Sequence, residues 1–419
     1  MESILARKSF RRLLTCVSLL TFLFLPCFPT VSVLAAQPVS DSFLSDVPAG
    51  ASVAEAAAEA AAGPQVDAPA ALVMEASTGT VLYEQNADEK RPPASVTKVM
   101  TLLLIFEALD AGQISLDDTV TTSEHAASMG GSQVFLETGE PQTVDTLIKC
   151  IAVASGNDAA VAMAEYIAGS EEAFVAKMNE RAAALGMKNT HFVNCCGLDT
   201  DGHETTARDI ALMSRELTTK HPAIFDYTTI WMENITHVTT RGTSEFGLTN
   251  TNKLIRQYEG ANGLKTGSTS KAGFCLSATA TRNEISLIAV VMGCESSKSR
   301  TADVSALLDY GFSVCHLYTD KNPPALSPVP LHGGTTRSVS CRYEGSFSFV
   351  ATSDISEDSL QKKLRLDDDL TAPVKKGQKI GSLDYYHDGT KLGTVSILAE
   401  ETVPEARYTD CLIRLLRSL

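Results

Sequence analysis

Aromatic residues are scarce in this sequence: Phe, Trp and Tyr make up 6% of the 419 residues, and Trp occurs once. A hydrophobic core must therefore rely on Ala, Val, Leu and Ile. The sequence has no C-x-x-C pair and no H-E-x-x-H motif, which argues against a thioredoxin-like site, a zinc knuckle and a zinc protease. No metal or cofactor is predicted. Acidic residues outnumber basic ones, and a net charge of −15 argues against nucleic acid as a partner.

The N-terminus has the pattern of a secretory signal peptide. Four basic residues at positions 7, 8, 11 and 12 precede an apolar run over residues 13–28, and Ala35 suits cleavage by a signal peptidase. A retained transmembrane anchor is the alternative, and Pro26 and Pro29 inside the run favour cleavage. Residues 1–35 are thus predicted to be a signal peptide, and residues 36–66, rich in Ala, Pro, Gly and acid, a flexible tether. The sequence predicts an exported, extracytoplasmic protein.

Ten cysteines occur, and eight of them follow the predicted cleavage site. An exported chain permits disulfides, but the irregular spacing is typical of small buried residues. The adjacent Cys195 and Cys196 cannot pair with each other without backbone strain. No particular disulfide is predicted.

Residues 67–318 show strand patterns at both ends and helical patterns between them. Strands are predicted over residues 71–75, 81–83, 273–281 and 285–293. Helices are predicted over residues 95–109, 143–154 continuing into 158–167, 171–185, 206–217 and 301–310. This order predicts an α+β fold in which an inserted helical cluster covers a sheet.

The pattern changes after residue 318. Four prolines between residues 323 and 330 mark a linker, and short strand patterns follow. Strands are predicted over residues 336–343, 346–352, 381–386 and 393–398. Residues 323–405 are therefore predicted to be a small all-β domain that serves for spacing or docking.

Three short motifs stand in order along the α+β region. They are Ser95-Val96-Thr97-Lys98, Ser155-Gly156-Asn157 and Lys265-Thr266-Gly267. Ser95 and Lys98 are spaced to lie on one face of a helix that begins at Ser95. The positive end of the helix dipole should lower the pKa of Lys98, and a neutral lysine can take the proton of the Ser95 hydroxyl. The Ser95 N–H is available as an oxyanion donor.

The second and third motifs supply complementary groups. Ser155 can relay a proton between Lys98 and a leaving amine, and Asn157 can orient the Lys98 amine and hold a substrate amide. Lys265 on an inner strand can anchor a carboxylate, and its charge should lower the pKa of Lys98 further.

Two further residues complete the third motif. Thr266 offers a hydroxyl group, and Gly267 allows the substrate backbone to approach. A second match to S-x-x-K, Ser359 to Lys362, is predicted to be a surface turn or short helix without catalytic function.

The ordered motifs resemble the signature of the penicillin-recognising serine enzymes. Residues 90–101, 155–160, 197–199 and 263–267 are similar to the D-alanyl-D-alanine carboxypeptidases of the low-molecular-mass penicillin-binding type. The resemblance covers residues 67–318, and residues 323–405 resemble that family's C-terminal domain more loosely. It implies a β-lactamase/transpeptidase-like catalytic domain, built from an antiparallel sheet and a helical cluster, followed by the all-β domain.

The resemblance also implies the chemistry. The substrate would be a peptidoglycan stem peptide ending in D-Ala-D-Ala, from which the terminal D-Ala is removed, and β-lactams would acylate Ser95. The N–H of Ser268 would be the second oxyanion donor. The protein would act in the cell wall or at the outer face of the cytoplasmic membrane. Cys195 and Cys196 depart from the family pattern, and Thr251 stands where some relatives place an arginine.

Other functions remain open at this point. A transpeptidase or endopeptidase would use the same motifs, because they do not encode the acceptor. A serine β-lactamase is disfavoured because the helical region lacks an E-x-x-x-N element and the second motif reads S-G-N. A non-catalytic wall-binding protein is disfavoured by the intact Ser95 and Lys98. His191 and His203 are predicted to be packed or hydrogen-bonded loop histidines.

Residues 406–419 have the pattern of an amphipathic helix. On a helical wheel the leucines at 412, 415, 416 and 419 form one stripe, and Arg414 and Arg417 lie opposite. This segment is either a monotopic membrane anchor or a short helix packed on the β domain.

Overall fold

A computed structural model of the chain describes residues 63–352, 359–410 and 412. The predicted signal peptide, nearly all of the predicted tether and most of the predicted C-terminal helix lie outside the described residues.

Strands flank a mainly helical middle section in the first part of the described chain, and most of the last part consists of strands. The strands are β1 (Ala70–Glu75), β2 (Val81–Gln85), β3 (Thr119–Thr121), β4 (Pro141–Thr143), β5 (Met232–Thr239), β6 (Gly242–Thr249), β7 (Ala261–Thr269), β8 (Gly273–Arg282), β9 (Ile285–Cys294), β10 (His316–Thr319), β11 (Val329–Pro330), β12 (Ser338–Val339), β13 (Cys341–Tyr343), β14 (Ser348–Ala351), β15 (Leu360–Leu366), β16 (Lys379–His387) and β17 (Thr390–Ala399). The α-helices are α1 (Lys98–Asp110), α2 (Glu124–Ala127), α3 (Val144–Ala152), α4 (Asn157–Ala168), α5 (Glu171–Ala184), α6 (Ala207–Lys220), α7 (Phe225–Thr228), α8 (Leu254–Gln257) and α9 (Ser297–Val314), and 3₁₀ turns span Ala94–Thr97 and Pro222–Ile224.

The central sheet has five antiparallel strands in the order β2-β1-β9-β8-β7. Both of its faces are covered, since every residue of β1 is buried. Leu72 packs in a core cluster with α1 and α6, whereas its neighbour Val73 packs in a second cluster with α9. This alternation follows from the two-residue period of a strand. The predicted α+β fold, with a helical cluster against an antiparallel sheet, is confirmed.

The helical cluster departs from the sequence prediction at one functional point. The predicted helix over 143–154 does not continue into 158–167, because α3 ends at Ala152 and α4 begins at Asn157. Between them Ser155 adopts a left-handed backbone conformation, with φ of 64°. A residue in this region of φ/ψ space cannot continue a right-handed helix. The second motif therefore occupies a sharp turn between two helices.

The hairpin formed by β5 and β6 was absent from the sequence prediction. Its eight residue pairs run from Met232 opposite Thr249 to Thr239 opposite Gly242. Most of its side chains are exposed and polar, so the hydrophobic signal was weak. Ile235 and His237 are buried and lie two residues apart in β5. This two-residue spacing is typical of a strand and was the one local signal that could have predicted it.

The C-terminal part is all-β, as predicted. Its largest sheet has four antiparallel strands in the order β13-β17-β16-β15, and the rings of Phe347 and Tyr385 stack with centroids 3.8 Å apart. The segment from Ser359 to Lys362 runs into strand β15, so the prediction of a turn or short helix there was wrong. Lys362 Nζ lies 2.8 Å from Asp320 Oδ1, and the Tyr385 hydroxyl donates to Asp320 Oδ2 at 2.7 Å. This second S-x-x-K match therefore has a structural role.

The cysteines among the described residues are free thiols. Six are buried, namely Cys150, Cys195, Cys196, Cys275, Cys294 and Cys315. Their packing as small core residues agrees with the sequence prediction. Among the helices that the structure describes, none combines the length and apolar character needed to cross a bilayer.

Candidate active site

The first motif places a serine and a lysine in direct contact. Ser95 lies in the 3₁₀ turn, half-buried, and Lys98 is the first residue of α1 and fully buried. The Lys98 Nζ is 3.1 Å from Ser95 Oγ, 2.6 Å from Asn157 Oδ1 and 2.8 Å from the Cys196 carbonyl oxygen. A neutral amine has two N–H groups and one lone pair. When the two N–H groups serve the shorter contacts, the lone pair faces the Ser95 hydroxyl.

Electrostatics favour that neutral form. Burial lowers the pKa of Lys98, and the nearby Cys196, Cys195 and Asp158 only partly oppose this effect. Burial is the largest of these effects on the pKa of Lys98. Burial also brings the pKa of Lys265 well below its ordinary value, with repulsion from Lys98 as the next cause. The charge of Lys98 thus acts on Lys265, whereas the causes of the lowered Lys98 pKa do not include Lys265.

The second motif contributes one fixed group and one unpaired group. Asn157 is held at both ends of its amide, because its Oδ1 contacts Lys98 and its Nδ2 donates to the Gly130 carbonyl at 2.6 Å. Its Oδ1 therefore holds the Lys98 amine in place. Ser155 is 3% exposed, and its Oγ has no hydrogen-bond partner among the described residues. A buried hydroxyl without a partner, in a left-handed residue, is typical of a functional position.

The third motif lies on β7, at the edge of the sheet. Its Gly267 backs directly onto the nucleophile, since a Cβ atom at this position would lie 2.9 Å from the Ser95 nitrogen. Only glycine permits this approach. Ser268 follows and is exposed. The backbone N–H groups of Ser95 and Ser268 thus belong to two segments that touch at Gly267.

The two remaining residues of the third motif are less open than the sequence prediction assumed. Lys265 is 1% exposed, and its Nζ donates to the Thr266 carbonyl at 3.0 Å. The Thr266 hydroxyl donates to Thr251 Oγ1 at 2.7 Å. The Lys265 amine is therefore already engaged by a backbone carbonyl. Thr251 has a role as the partner of Thr266.

Sequence reasoning missed a second buried basic residue near the third motif. Arg300 of α9 is 7% exposed, and its charge contributes to the lowered pKa of Lys265. Its guanidinium lies over the Phe274 ring, 5.8 Å from the centroid. Arg300 belongs to no motif and lies on a different element, so only the tertiary structure brings it near Lys265.

The loop that carries the adjacent cysteines also supports the site. Gly197 has φ of 87°, and a Cβ atom there would lie 1.8 Å from the Ala94 carbonyl oxygen. The Cys196 carbonyl accepts from Lys98, and the Cys195 carbonyl accepts from Thr101 Oγ1 at 2.7 Å. Their backbone, rather than their thiols, thus contacts helix α1.

The thiols of this loop lie close to a carboxylate. Donor atoms of Glu171, Cys195 and Cys196 lie within 4.8 Å of one another, and the two sulfur atoms are 3.7 Å apart. Burial raises the pKa of Cys195 well above its ordinary value. A metal ligand must be a thiolate, so this shift opposes metal binding.

His203 positions the first motif. The Val193 N–H donates to its Nδ1 at 3.0 Å, so the proton is on Nε2, which lies 2.8 Å from Thr97 Oγ1. Burial lowers the pKa of His203 to about 4, and the ring is neutral near pH 7. The prediction of a hydrogen-bonded loop histidine is confirmed for His203. His191 also fits it, with Nδ1 3.0 Å from the Gly202 carbonyl oxygen.

Comparison with known proteins gives consistent matches. The family model described as D-alanyl-D-alanine carboxypeptidase matches residues 56–296, and that described as penicillin-binding protein 5, C-terminal domain, matches residues 316–405. The D-alanyl-D-alanine carboxypeptidase DacF of Bacillus subtilis is 42% identical over 349 residues, which cover 83% of this chain and 89% of that protein.

Two solved structures are also similar to this chain over most of their own length. Penicillin binding protein 5 from Haemophilus influenzae is 30% identical with a TM-score of 0.60, covering 82% of this chain and 99% of that one. The Streptomyces K15 DD-transpeptidase is 31% identical with a TM-score of 0.56, covering 60% of this chain and 99% of that one.

Replacing Gly267 by alanine should slow the acylation of Ser95 without unfolding the protein. The added Cβ would displace the Ser95 backbone, and a shift of about 1 Å in a catalytic group costs about 100-fold in rate. The measurement is the rate of covalent labelling by a fluorescent penicillin. Gly345→Ala is the matched control, because a Cβ atom there would have no neighbour within 4 Å among the described residues. Equal labelling rates in the two variants would contradict the proposed packing.

The pH dependence of labelling should reflect Lys98. A lysine with a lowered pKa becomes neutral as pH rises through that pKa, so the acylation rate should increase with pH and level off below about pH 10.4, the ordinary lysine value. His203→Gln should keep this rising limb, because His203 titrates near pH 4. Loss of the limb in that variant would assign it to the histidine and refute the role of Lys98.

Proposed function

This chain belongs to the D-alanyl-D-alanine carboxypeptidase family, and from that premise we propose how its residues perform the reaction. It is a serine hydrolase, and its substrate is a peptidoglycan peptide ending in D-Ala-D-Ala. The observation that carries the proposal is the set of three contacts of Lys98 Nζ, with Ser95 Oγ, Asn157 Oδ1 and the Cys196 carbonyl. These contacts make Lys98 the base and Ser95 the nucleophile.

In the first step Lys98, neutral, takes the proton of Ser95, and Ser95 Oγ attacks the carbonyl carbon of the penultimate D-Ala. The backbone N–H groups of Ser95 and Ser268 stabilise the oxyanion. Their proximity is supported by Gly267, whose backbone lies against the Ser95 nitrogen.

In the second step the C–N bond to the terminal D-Ala breaks, and the departing amine takes a proton from Ser155, which regains one from Lys98. The unpaired Oγ of Ser155 supports this relay, because it is free to exchange hydrogen bonds with a substrate. A water molecule then attacks the ester carbonyl and releases Ser95.

The terminal carboxylate of the substrate is bound near Lys265, Arg300 and the Thr266 hydroxyl. Burial lowers the pKa of Lys265 in the free site, and an anionic substrate would oppose this effect by stabilising the charged amine. Substrate can run alongside β7, because this strand lies at the edge of the sheet.

A transpeptidase is the second candidate. The Streptomyces K15 enzyme, which is described as a DD-transpeptidase, aligns with 60% of this chain. In such a reaction an amine replaces water as the acceptor for the Ser95 acyl group. An endopeptidase would differ only in the leaving amine. An amine such as glycine, added to the assay, separates hydrolysis from transfer, because transfer yields a new peptide product.

The variant Ser95→Ala tests the nucleophile, and an amidated substrate tests the carboxylate site. Ser95→Ala should abolish both penicillin labelling and release of D-Ala from an N-acylated D-Ala-D-Ala peptide. Amidating the terminal carboxylate should lower turnover by the wild-type enzyme by about 10- to 100-fold, the value of a charge-assisted contact. Persistent D-Ala release by Ser95→Ala would refute the nucleophile, and equal rates on the acid and the amide would refute the carboxylate site.

Location and domain organisation are also part of the proposal. We propose export directed by residues 1–35, a tether over 36–66, a catalytic domain over 67–318 and an all-β domain over 323–405. Action on peptidoglycan requires a protein outside the cytoplasm.

The C-terminal residues 406–419 would then anchor the protein at the outer face of the cytoplasmic membrane. The leucines would lie at the boundary between headgroups and acyl chains, and the arginines would contact lipid phosphates. Tyr408 is 83% exposed and Leu412 46% exposed, which favours an anchor over packing on the β domain.

Deleting residues 408–419 should release the protein from membranes. The mature full-length protein should sediment with vesicles that contain anionic lipid, and the truncated one should stay in the supernatant with unchanged D-Ala release. The double variant Arg414→Gln/Arg417→Gln should bind more weakly, because each cation contributes about 1 kcal/mol near an anionic surface. Identical partitioning of truncated and full-length protein would show that the segment is not an anchor.

A further inference from the structure

The turn formed by residues 194–198, the Asn194 turn, supplies one of the contacts of the Lys98 amine. It lies in the connection between α5 and α6 and belongs to no helix or strand. Its Cys196 carbonyl accepts from Lys98 Nζ at 2.8 Å, and its Cys195 carbonyl accepts from Thr101 Oγ1 at 2.7 Å. Secondary structure therefore does not fix the direction of these carbonyl groups, and side-chain contacts must do so.

One side chain gathers the backbone N–H groups of this turn. Oδ1 of the half-buried Asn194 accepts from three successive N–H groups, those of Cys196, Gly197 and Leu198, at 3.1, 2.7 and 3.1 Å. Successive N–H groups that point to one oxygen form a nest, and the left-handed conformation of Gly197 bends the backbone around it. The Asn194 oxygen therefore occupies the position that a bound anion takes in other nests.

The planarity of the peptide links these bonds to the carbonyl directions. The Gly197 N–H and the Cys196 carbonyl belong to one trans peptide, so they point in opposite directions. Because Asn194 binds the N–H, the carbonyl on the opposite edge faces Lys98. The preceding peptide repeats this arrangement, since its N–H at Cys196 is bound by Asn194 and its carbonyl at Cys195 faces α1. Asn194 thus fixes two consecutive peptide planes against α1.

Two further contacts hold the turn beside the nucleophile. Gly197 approaches the Ala94 carbonyl so closely that a Cβ atom at this position would overlap it. Asp199, directly after the turn, accepts from Thr269 Oγ1 at 2.7 Å, and Thr269 is the last residue of β7. The Asn194 turn therefore lies between the residue that precedes the nucleophile and the end of the strand that carries the third motif.

We propose that Asn194 is a positioning residue for the reaction, because its amide oxygen aims the Cys196 carbonyl at the Lys98 amine. The proposal rests on the proposed function, in which neutral Lys98 takes the proton of Ser95. Asn157 Oδ1 and the Cys196 carbonyl bind both N–H groups of the neutral amine and leave its lone pair for Ser95. With the Cys196 carbonyl turned away, one acceptor remains and the amine can rotate about its Cε–Nζ bond. The lone pair then has no fixed direction.

The first test removes the accepting oxygen. In Asn194→Ala three N–H groups lose their acceptor, and a shift of about 1 Å in a catalytic group costs about 100-fold in rate. The acylation rate constant at saturating fluorescent penicillin, and kcat/KM for D-Ala release, should both fall by about this factor. Asn194→Asp keeps the accepting oxygen but loses the Nδ2 donor to the Leu198 carbonyl, and it should recover most of the loss.

The pH dependence of acylation separates positioning from a loss of stability. A hydrogen bond from the ammonium form to the Cys196 carbonyl favours the charged amine, so losing this acceptor lowers the pKa of Lys98 further. Acylation rises with pH as Lys98 becomes neutral, so the rising limb should move to lower pH in Asn194→Ala. In Asn194→Asp the added negative charge should move it to higher pH. The other titratable groups that act on Lys98 or respond to its charge are unchanged in both variants, namely Asp158, Cys195, Cys196 and Lys265.

Asn179→Ala is the matched control. Asn179 of α5 binds the same connection at Phe192, whose N–H it accepts and to whose carbonyl it donates, each at 2.8 Å. These bonds do not involve the two peptides that face α1. Asn179→Ala should lower the melting temperature, but its folded form should acylate at the wild-type rate and with the wild-type pH limb.

The proposal would be overturned by an Asn194→Ala variant that acylates like Asn179→Ala, by a rising limb that stays at the wild-type pH, or by an Asn194→Asp rate no higher than that of Asn194→Ala. If Asn194→Ala does not fold, Asn194→Ser takes its place, because its hydroxyl is one bond closer to the backbone and serves only the nearest N–H. It should acylate more slowly than wild type, and an unchanged rate would refute the positioning role. Failure of the proposed function looks different, because wild-type enzyme would then not release D-Ala in a Ser95-dependent way.

Discussion

The site depends on the complete burial of one amine. Lys98 is withdrawn from water and surrounded by Ser95, Asn157 and the Cys196 carbonyl, which belong to three separate segments. A buried ammonium is costly without compensating partners, so burial shifts the equilibrium towards the neutral amine that the chemistry requires. The same contacts fix the position of the amine beside the serine. Burial therefore provides both the base and its orientation.

Several unusual backbone positions serve this arrangement. Ala94 and Ser155 have φ of 49° and 64°, and both lie within the catalytic motifs or directly beside them. Gly197 and Gly267 allow two further segments to approach the nucleophile more closely than any side chain would permit. Strain of this kind persists only when the surrounding packing determines the conformation. Here the all-buried helix start and the sheet edge supply that packing.

Asn157 and Thr251 connect the catalytic motifs to neighbouring segments of the fold. Asn157 contacts Lys98 on one side and the 130–137 loop on the other, and Thr251 connects the β5–β6 hairpin to Thr266. Burial raises the pKa of Cys195, and the backbone carbonyls of Cys195 and Cys196 make the contacts with Thr101 and Lys98. The groups around the Ser95 nucleophile are thus held by contacts between segments that are distant in the sequence.

The order of the three motifs, the α+β and all-β regions and most helices could be predicted from the sequence, because they follow from local spacing and periodicity. The prediction failed at the turn at Ser155, where a left-handed residue interrupts an apparently continuous helix, and at the polar β5–β6 hairpin, where the apolar signal is weak. The burial that lowers the pKa of Lys98, and the presence of Arg300 and the Cys196 carbonyl near the site, follow only from the packing of the folded chain. Desolvation and contacts between distant segments arise from packing in three dimensions, which no local pattern encodes.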